Sequence, residues 1–241
     1  MPHQLLTIYN KILAVYGQQG WWPLLRPSAS SLTAKRKAHS KEEAVITYSI
    51  PITHPHHRFE IAVGAILTQN TAWTNAEKAL VALHENELHT PQKIISAPHE
   101  KLAHIIRSAG YFNQKAERLK VIAYFFLIND ITNLPLTILR TKLLGLKGIG
   151  PETADSIILY AAEQPIFVVD AYTRRIFSRL GYGQENASYD KWQQFFHQTM
   201  QRDVAMYKEY HALLVEHAKQ HCKKKPLCMQ CPLENMCERR I

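Results

Sequence analysis

The chain has no apolar run near the roughly 20 residues of a membrane-spanning helix, which argues against a helical membrane protein. Its amino terminus, MPHQLLTIYNKILAVYG, lacks both a basic leader and a small-residue cleavage site, the marks of a secretory signal. Cysteine is scarce, and all 4 copies fall within the last twenty residues, unlike the spread of a secreted disulfide framework. Glycine (9) and proline (12) are too few for a low-complexity or collagen-like chain, and nothing repeats internally. Acidic residues are in the minority. Against 29 Lys and Arg stand 20 Asp and Glu, giving a formal charge of +9 and a pI near 9.4, a balance that favours a polyanionic partner.

What is present reads as globular. The 241 residues, 46% hydrophobic, suffice for one large domain or two small ones with a real core. Leu5, Ile8, Ile12 and Val15 have helical spacing and predict a packed first helix of an intracellular protein. After the turn GQQGWWP, residues 24–57 are rich in Ser, Lys, Arg and His, with one strand-like piece, AVITYSIPI. This segment is expected to be a surface insertion. From Phe59 onward helical stripes dominate: Phe59, Ala62, Val63, Ile66 and Leu67; then Leu102, Ile105, Ile106 and Ala109; then Leu119, Ile122, Ala123 and Phe126. PIFVVD is expected to be extended for only a few residues before the helix AYTRRIFSRLG. Two further helices are expected near Lys191–Met200 and Ala205–Gln220. The expected class is all-α.

One stretch carries a specific signal. In Leu146-Lys147-Gly148-Ile149-Gly150 a tight turn joins two apolar helices. Glycines at 148 and 150 allow φ > 0 and let a ligand approach the backbone closely, while Ile149 plugs the turn into the core. Pro151 suits the first turn of the next helix, whose unpaired N–H groups and dipole favour phosphate. The pattern fits a helix-hairpin-helix element at about 139–161, gripping a sugar-phosphate backbone without reading sequence. Leu146, Lys147, Gly148, Gly150 and Thr153 are the expected contacts. An ordinary αα-turn is the alternative reading.

The segment LKGIGPETADSIILYAAEQPIFVVDAYTRRIFSRLG (146–181) resembles the helix-hairpin-helix DNA glycosylase superfamily that contains endonuclease III. The resemblance extends through FEIAVGAILTQNT, AGYFNQKAERL and the cysteines, which is most of the chain outside 24–57. It implies that Asp170 sits in a cleft facing an extruded nucleotide, where a carboxylate stabilises positive charge on the sugar or helps activate water. Capping the next helix is the structural alternative for Asp170. In strand-cleaving relatives a lysine stands two residues after the second hairpin glycine and forms an imine; here that position is Glu152, which cannot. The expectation is therefore a monofunctional, water-using glycosylase. KGIGPETAD, AGYFNQKAERL and the tryptophan–proline turn look closest to the 3-methyladenine glycosylase branch. In that branch the WWP-like segment, here Trp21, Trp22 and Pro23, lines a pocket for an alkylated purine. Gln69 or Asn70 of LTQNT is expected to fill the gap left by the base.

Cys222, Cys228, Cys231 and Cys237 form C-x5-C-x2-C-x5-C. Four thiols within sixteen residues point to a metal, and zinc and a [4Fe–4S] cluster both accept four cysteines. Only one CxxC is present where zinc sites usually pair two, and the resemblance to the endonuclease III cluster loop implies iron–sulfur, although its first gap is six residues and this one is five. Lys223, Lys224 and Lys225 on that loop are expected to contact phosphates. The resulting expectation is two helical lobes. One is a six-helix barrel-like domain over 58–166. The other is a discontinuous domain of 1–57 and 167–241 carrying the cysteine loop. The partner is duplex DNA, the chain a monomer in the cytoplasm, associated with the nucleoid through DNA. The alternatives are an endonuclease III-like glycosylase with lyase activity on oxidised pyrimidines, through Lys147, and a non-catalytic DNA-binding module.

Overall fold

The computed structural model describes residues 2–27 and 44–239. Their elements run in the order α1 (Pro2–Tyr16), β1 (Leu24–Pro27), β2 (Ala44–Thr47), α2 (Pro55–Leu67), α3 (Trp73–Glu85), α4 (Pro91–Ser96), α5 (His99–Ile105), α6 (Phe112–Ile128), α7 (Leu136–Leu144), α8 (Pro151–Ser156), α9 (Ala171–Arg179), α10 (Tyr189–Thr199) and α11 (Val204–Gln220). The fold is all-α with one short antiparallel ribbon, in which Leu24 faces Thr47 and Pro27 faces Ala44. No helix among the described residues is long and apolar enough to cross a membrane. Side-chain caps mark several helix starts: Thr90, Asp170, Ser188 and Asp203 each accept from a backbone N–H three residues on, as N-cap residues do.

The elements form two compact units, Met1–Trp21 with Glu163–Ile241, and Trp22–Ala162. The expected divisions lie at 57/58 and 166/167, whereas these units divide at 21/22 and 162/163, and two contacts accompany the difference. Leu24 and Leu25, expected in a surface insertion, are buried, and the Leu25 N–H donates to the Glu60 carboxylate on α2 at 2.6 Å. Further on, Glu163 already pairs with Lys208 of α11 at 3.0 Å. Residues 28–43 of the expected insertion lie outside the described residues.

In the Trp22–Ala162 unit, α2 is the central helix. Phe59 and every residue from Ile61 to Leu67 are buried, so it is apolar all round rather than striped, as an enclosed helix must be. Gly64 admits the Trp22 indole, since a Cβ there would lie 3.1 Å from the ring. Beyond α8 the helix widens over Ile157–Ala161, all five residues buried. Asp155 is wholly buried and held bidentately by Arg140 of α7, at 2.8 and 3.2 Å, which ties together the helices flanking the hairpin.

In the other unit, Leu5, Ile8 and Ile12 of α1 are fully buried, and Tyr210 of α11 donates to the Leu5 carbonyl at 2.9 Å. Phe167, Phe177, Phe196, Tyr207 and Tyr210 form an aromatic core, Phe167 stacking on Phe196 at 3.9 Å. The extended PIFVVD segment has no strand partner among the described residues. The backbone groups of Phe167 within it are satisfied by side chains of α10 instead: Gln193 donates to the Phe167 carbonyl (2.7 Å), and the Phe167 N–H donates to His197 (3.0 Å). This is how a buried apolar run avoids orphaned backbone groups outside a sheet.

Candidate active site and nucleic-acid interface

The hairpin Gly145–Gly150 joins α7 to α8. Gly148 has φ +84, the left-handed region, and a Cβ there would stand 2.4 Å from the Arg118 side chain. At Gly150 φ is −92 and a Cβ would meet nothing within 4 Å, so that glycine leaves open space in front of the backbone. Ile149 is buried, as its plug role requires, and its N–H donates to the Leu146 carbonyl at 3.1 Å. Lys147 is exposed, 3.3 Å from the Glu117 carboxylate. Thr153 is buried. Glu152 is exposed in the first turn of α8, and its carbonyl accepts from the Ser156 hydroxyl at 2.7 Å.

The turn after α2 lies against this hairpin. The Gln69 amide donates to the Gly148 carbonyl (3.1 Å) and the Thr153 hydroxyl (2.9 Å), and its oxygen accepts from Arg118 at 2.5 Å. Asn70 is exposed with φ +51. Beneath the turn sits Lys115, fully buried, donating to the Leu67 carbonyl (2.7 Å), the Thr71 hydroxyl (2.8 Å) and the Ala109 carbonyl (2.8 Å). Burial, with a smaller contribution from Arg118, pushes its ammonium down to about 8, so it stays protonated at neutral pH. Tyr111 follows the same Ala109–Gly110 corner, 66% exposed and with φ +44.

Trp22 is 7% exposed, edge-on to Trp73 (5.7 Å) and Tyr160 (5.3 Å). Pro23 is buried as well. These two serve as core of the Trp22–Ala162 unit. Trp21 is only half-buried, belongs to the other unit, and meets His211 edge to face at 5.9 Å.

Asp170 caps α9. Its Oδ1 accepts the Thr173 N–H at 2.7 Å and its Oδ2 lies 3.7 Å from Nε2 of His211 on α11. Burial would raise the carboxyl's pKa, but the His211 imidazole and Thr173 outweigh it, and the net direction is down. The capping and functional readings of this residue are therefore compatible: the cap fixes one oxygen and leaves the carboxylate ionised.

The four cysteines, each half-buried, line one cavity with Arg179, His217, His221 and Leu233. Arg179 organises the loop between the first two. Its guanidinium donates to the Cys222 sulfur (3.3 Å) and to the carbonyls of Lys223 (2.7 Å) and Lys224 (3.0 Å), while the Lys223, Lys224 and Lys225 side chains are exposed. His217 Nε2 is 3.9 Å from the Cys231 sulfur, and Tyr16 bridges His217 and His221 at 2.9 and 2.8 Å. Burial, then the neighbouring thiols, pushes Cys231 and Cys237 up, so a cationic group would relieve the crowding of sulfurs. Among the described residues, no three His, Cys, Asp or Glu side chains are set to share a single metal ion. Four thiols lining one cavity form a donor set that zinc and a [4Fe–4S] cluster both accept.

Four residues in these sites went unassigned in the sequence. Lys115, Arg118 and Arg179 lie inside quoted motifs, and their signal was a charge placed on an otherwise apolar helical stripe. His211 carried no signal beyond being one of two histidines in HALLVEHA.

Residues 63–202 match the HhH-GPD superfamily base excision DNA repair proteins. An assigned DNA repair glycosylase of Methanocaldococcus jannaschii is 41% identical over 240 residues, 97% of this chain and 95% of the relative. Endonuclease III of Thermotoga maritima is 29% identical over 181 residues, 75% and 82% of the two chains. The H. pylori 3-methyladenine DNA glycosylase bound to 1,N6-ethenoadenine superposes with a TM-score of 0.60 at 28% identity, covering 70% of this chain and 90% of that one. An endonuclease III–DNA complex shares the fold over 99% of this chain and 96% of its own, with a TM-score of 0.73 at 20% identity. The chain belongs to the HhH-GPD superfamily of base excision DNA repair proteins and is a DNA glycosylase.

Proposed function

We propose that this glycosylase hydrolyses the N-glycosidic bond of an alkylated purine in duplex DNA, as a monofunctional and monomeric cytoplasmic enzyme. The observation that carries the monofunctional reading is the carboxylate of Glu152, exposed in the first turn after the hairpin. No amine stands at that position to capture the sugar. Lys115 is no substitute, since it is buried and commits its ammonium to three acceptors.

In the mechanism, the hairpin at Leu146–Gly150 and Thr153 holds the phosphate backbone, with Lys147 adding charge at the turn. Gln69 braces that hairpin through its amide, and exposed Asn70 is the side chain of the pair free to occupy the gap left by the base. Trp21 offers a ring face for an electron-poor base, and Trp22 and Pro23 anchor the segment that follows it. The bond from C1′ to the base nitrogen breaks with its electron pair leaving on the base. Asp170 stabilises the positive charge left on the sugar, and water adds its oxygen at C1′ while its proton ends on the departing base. The H. pylori neighbour, with its bound ethenoadenine, supports the purine assignment.

The cysteines fit a [4Fe–4S] cluster held by Cys222, Cys228, Cys231 and Cys237. When bound it supplies a rigid brace rather than a reacting group. Arg179 already fastens the intervening loop so that Lys223, Lys224 and Lys225 face outward toward phosphate.

Single-turnover release of base from a panel of lesion duplexes, by the wild type and by Asp170→Asn, tests this reading. Release of an alkylated purine by the wild type, lost in the variant, is the expected result. Release confined to oxidised pyrimidines, or equal in both proteins, would overturn it.

A further inference from the structure

The carboxylate proposed to face the sugar has a second restraint that is not part of its cap. Thr173 fixes Oδ1, which leaves Oδ2 to swing with the side-chain torsion. Oδ2 is 3.7 Å from Nε2 of His211, an ion-pair separation just beyond a hydrogen bond. Both residues are buried, Asp170 at 8% and His211 at 5% exposure. Two elements remote in sequence are thus joined inside one unit. The Trp21 ring stands against His211 at 5.9 Å and an 85° interplanar angle, with the Lys219 ammonium 5.9 Å from that ring on the α11 side. Tyr210, next to His211 in the chain, donates to the Leu5 carbonyl. The groups acting on the Asp170 carboxyl are its burial, His211 and Thr173.

We propose that His211 is a positioning residue for the glycosylase reaction: its imidazole holds Oδ2 of Asp170, so that both carboxylate oxygens are fixed before the nucleotide arrives, and Trp21 holds the imidazole. The inference rests on the reading of Asp170 as the carboxylate that meets the sugar. A buried carboxylate with one free oxygen would lose orientation, and orientation at a reacting centre is costly to lose, since about 1 Å of misplacement slows a reaction on the order of a hundredfold. The pair also couples a base-stacking wall to the charge that stabilises the sugar: Trp21 touches His211, and His211 touches Asp170.

The test uses the full-length protein with two variants. His211→Leu removes the polar contact with Oδ2; His211→Gln keeps a polar N–H donor in place of the imidazole. His211→Leu is expected to slow single-turnover base release on the order of a hundredfold, with unchanged affinity for a duplex carrying an abasic analogue. His211→Gln should recover to within about tenfold of wild type, and the acid limb of its pH–rate profile should move to higher pH, because the His211 interactions that hold the Asp170 carboxyl low are weakened. A purely structural role would lower the plateau without moving that limb. The second readout needs no substrate: the 13C signal of the Asp170 carboxyl should titrate at higher pH in His211→Gln than in the wild type. A folded His211→Leu protein with wild-type rate, or an Asp170 titration unchanged in His211→Gln, overturns the inference. If the wild type releases no base from any duplex, the proposed function falls. The carboxyl titration then decides the pairing by itself.

Discussion

Replacing Lys115 with Met should destabilise the Trp22–Ala162 unit by about 1–2 kcal/mol, most of it from a single orphaned group. Methionine matches the lysine stem and leaves little cavity, so packing contributes little. The ammonium serves three acceptors, but they do not suffer equally. The Thr71 hydroxyl also donates to the Ala109 carbonyl, so that carbonyl keeps a partner. The Leu67 carbonyl at the end of α2 loses the donor held at 2.7 Å, and a buried acceptor without a partner costs about 1–3 kcal/mol. The desolvation of the ammonium, visible in its pKa lowered to about 8, is recovered in the variant and offsets part of the loss. For a protein of this size, the melting temperature should fall by roughly 2–8 °C, read by circular dichroism. Base release should slow as well, because the turn bearing Gln69 and Asn70 is anchored from below by the same ammonium. A variant melting within about 1 °C of wild type would refute the reasoning, since it would mean that the three hydrogen bonds contribute nothing net.

Three other substitutions probe separate features. Burial pushes Glu60 up to about 7, so its contribution to stability is fully present below the unfolded value near 4.5 and is lost as pH rises through 7. Glu60→Gln, which keeps an acceptor for the Leu25 N–H, should match wild type near pH 5 and exceed it near pH 8 by on the order of 1–3 kcal/mol; an equal gap at both pH values would contradict this. Gly148→Ala must hold a left-handed backbone and displace Arg118, so it should cost about 1–2 kcal/mol in a denaturant titration and weaken duplex binding, whereas unchanged binding would remove this glycine from the interface. Replacing Lys223, Lys224 and Lys225 together by Ala should lower the slope of log binding constant against log salt by about 0.9 for each phosphate no longer neutralised, while an unaltered slope would leave the three lysines as a solvated run.

Much of this was legible from residue spacing. The Phe59–Leu67 stripe announced α2, and two glycines around Ile149 announced the hairpin, because an apolar period and a pair of unencumbered backbone positions are local properties. The four cysteines stood out as a short pattern of distinctive chemistry, whereas Asp170 was singled out through the family resemblance, and its spacing alone offered only a helix cap. What escaped depends on partners distant in the chain. β2 lies within the strand-like AVITYSIPI, but its partner β1 is four residues long, too short a run for alternation to show. PIFVVD is extended for a few residues before α9, as expected, but the side chains of Gln193 and His197 that take up the Phe167 backbone groups were not legible. Trp21 and Trp22 are adjacent in sequence yet belong to different units, so a motif read as one wall divides into a half-exposed ring and a core residue. His211 is 41 residues from Asp170, and no local pattern marks that distance.

The central claim is a negative charge at Asp170 acting through water, with Glu152 where an imine-forming lysine would have to be. Borohydride added during turnover on a duplex that the enzyme processes reads this directly, because reduction fixes any imine as a permanent protein–DNA adduct. Base release with no adduct on a denaturing gel is the expected outcome. An adduct forming in step with base release, in particular one abolished by Lys147→Ala, would contradict it.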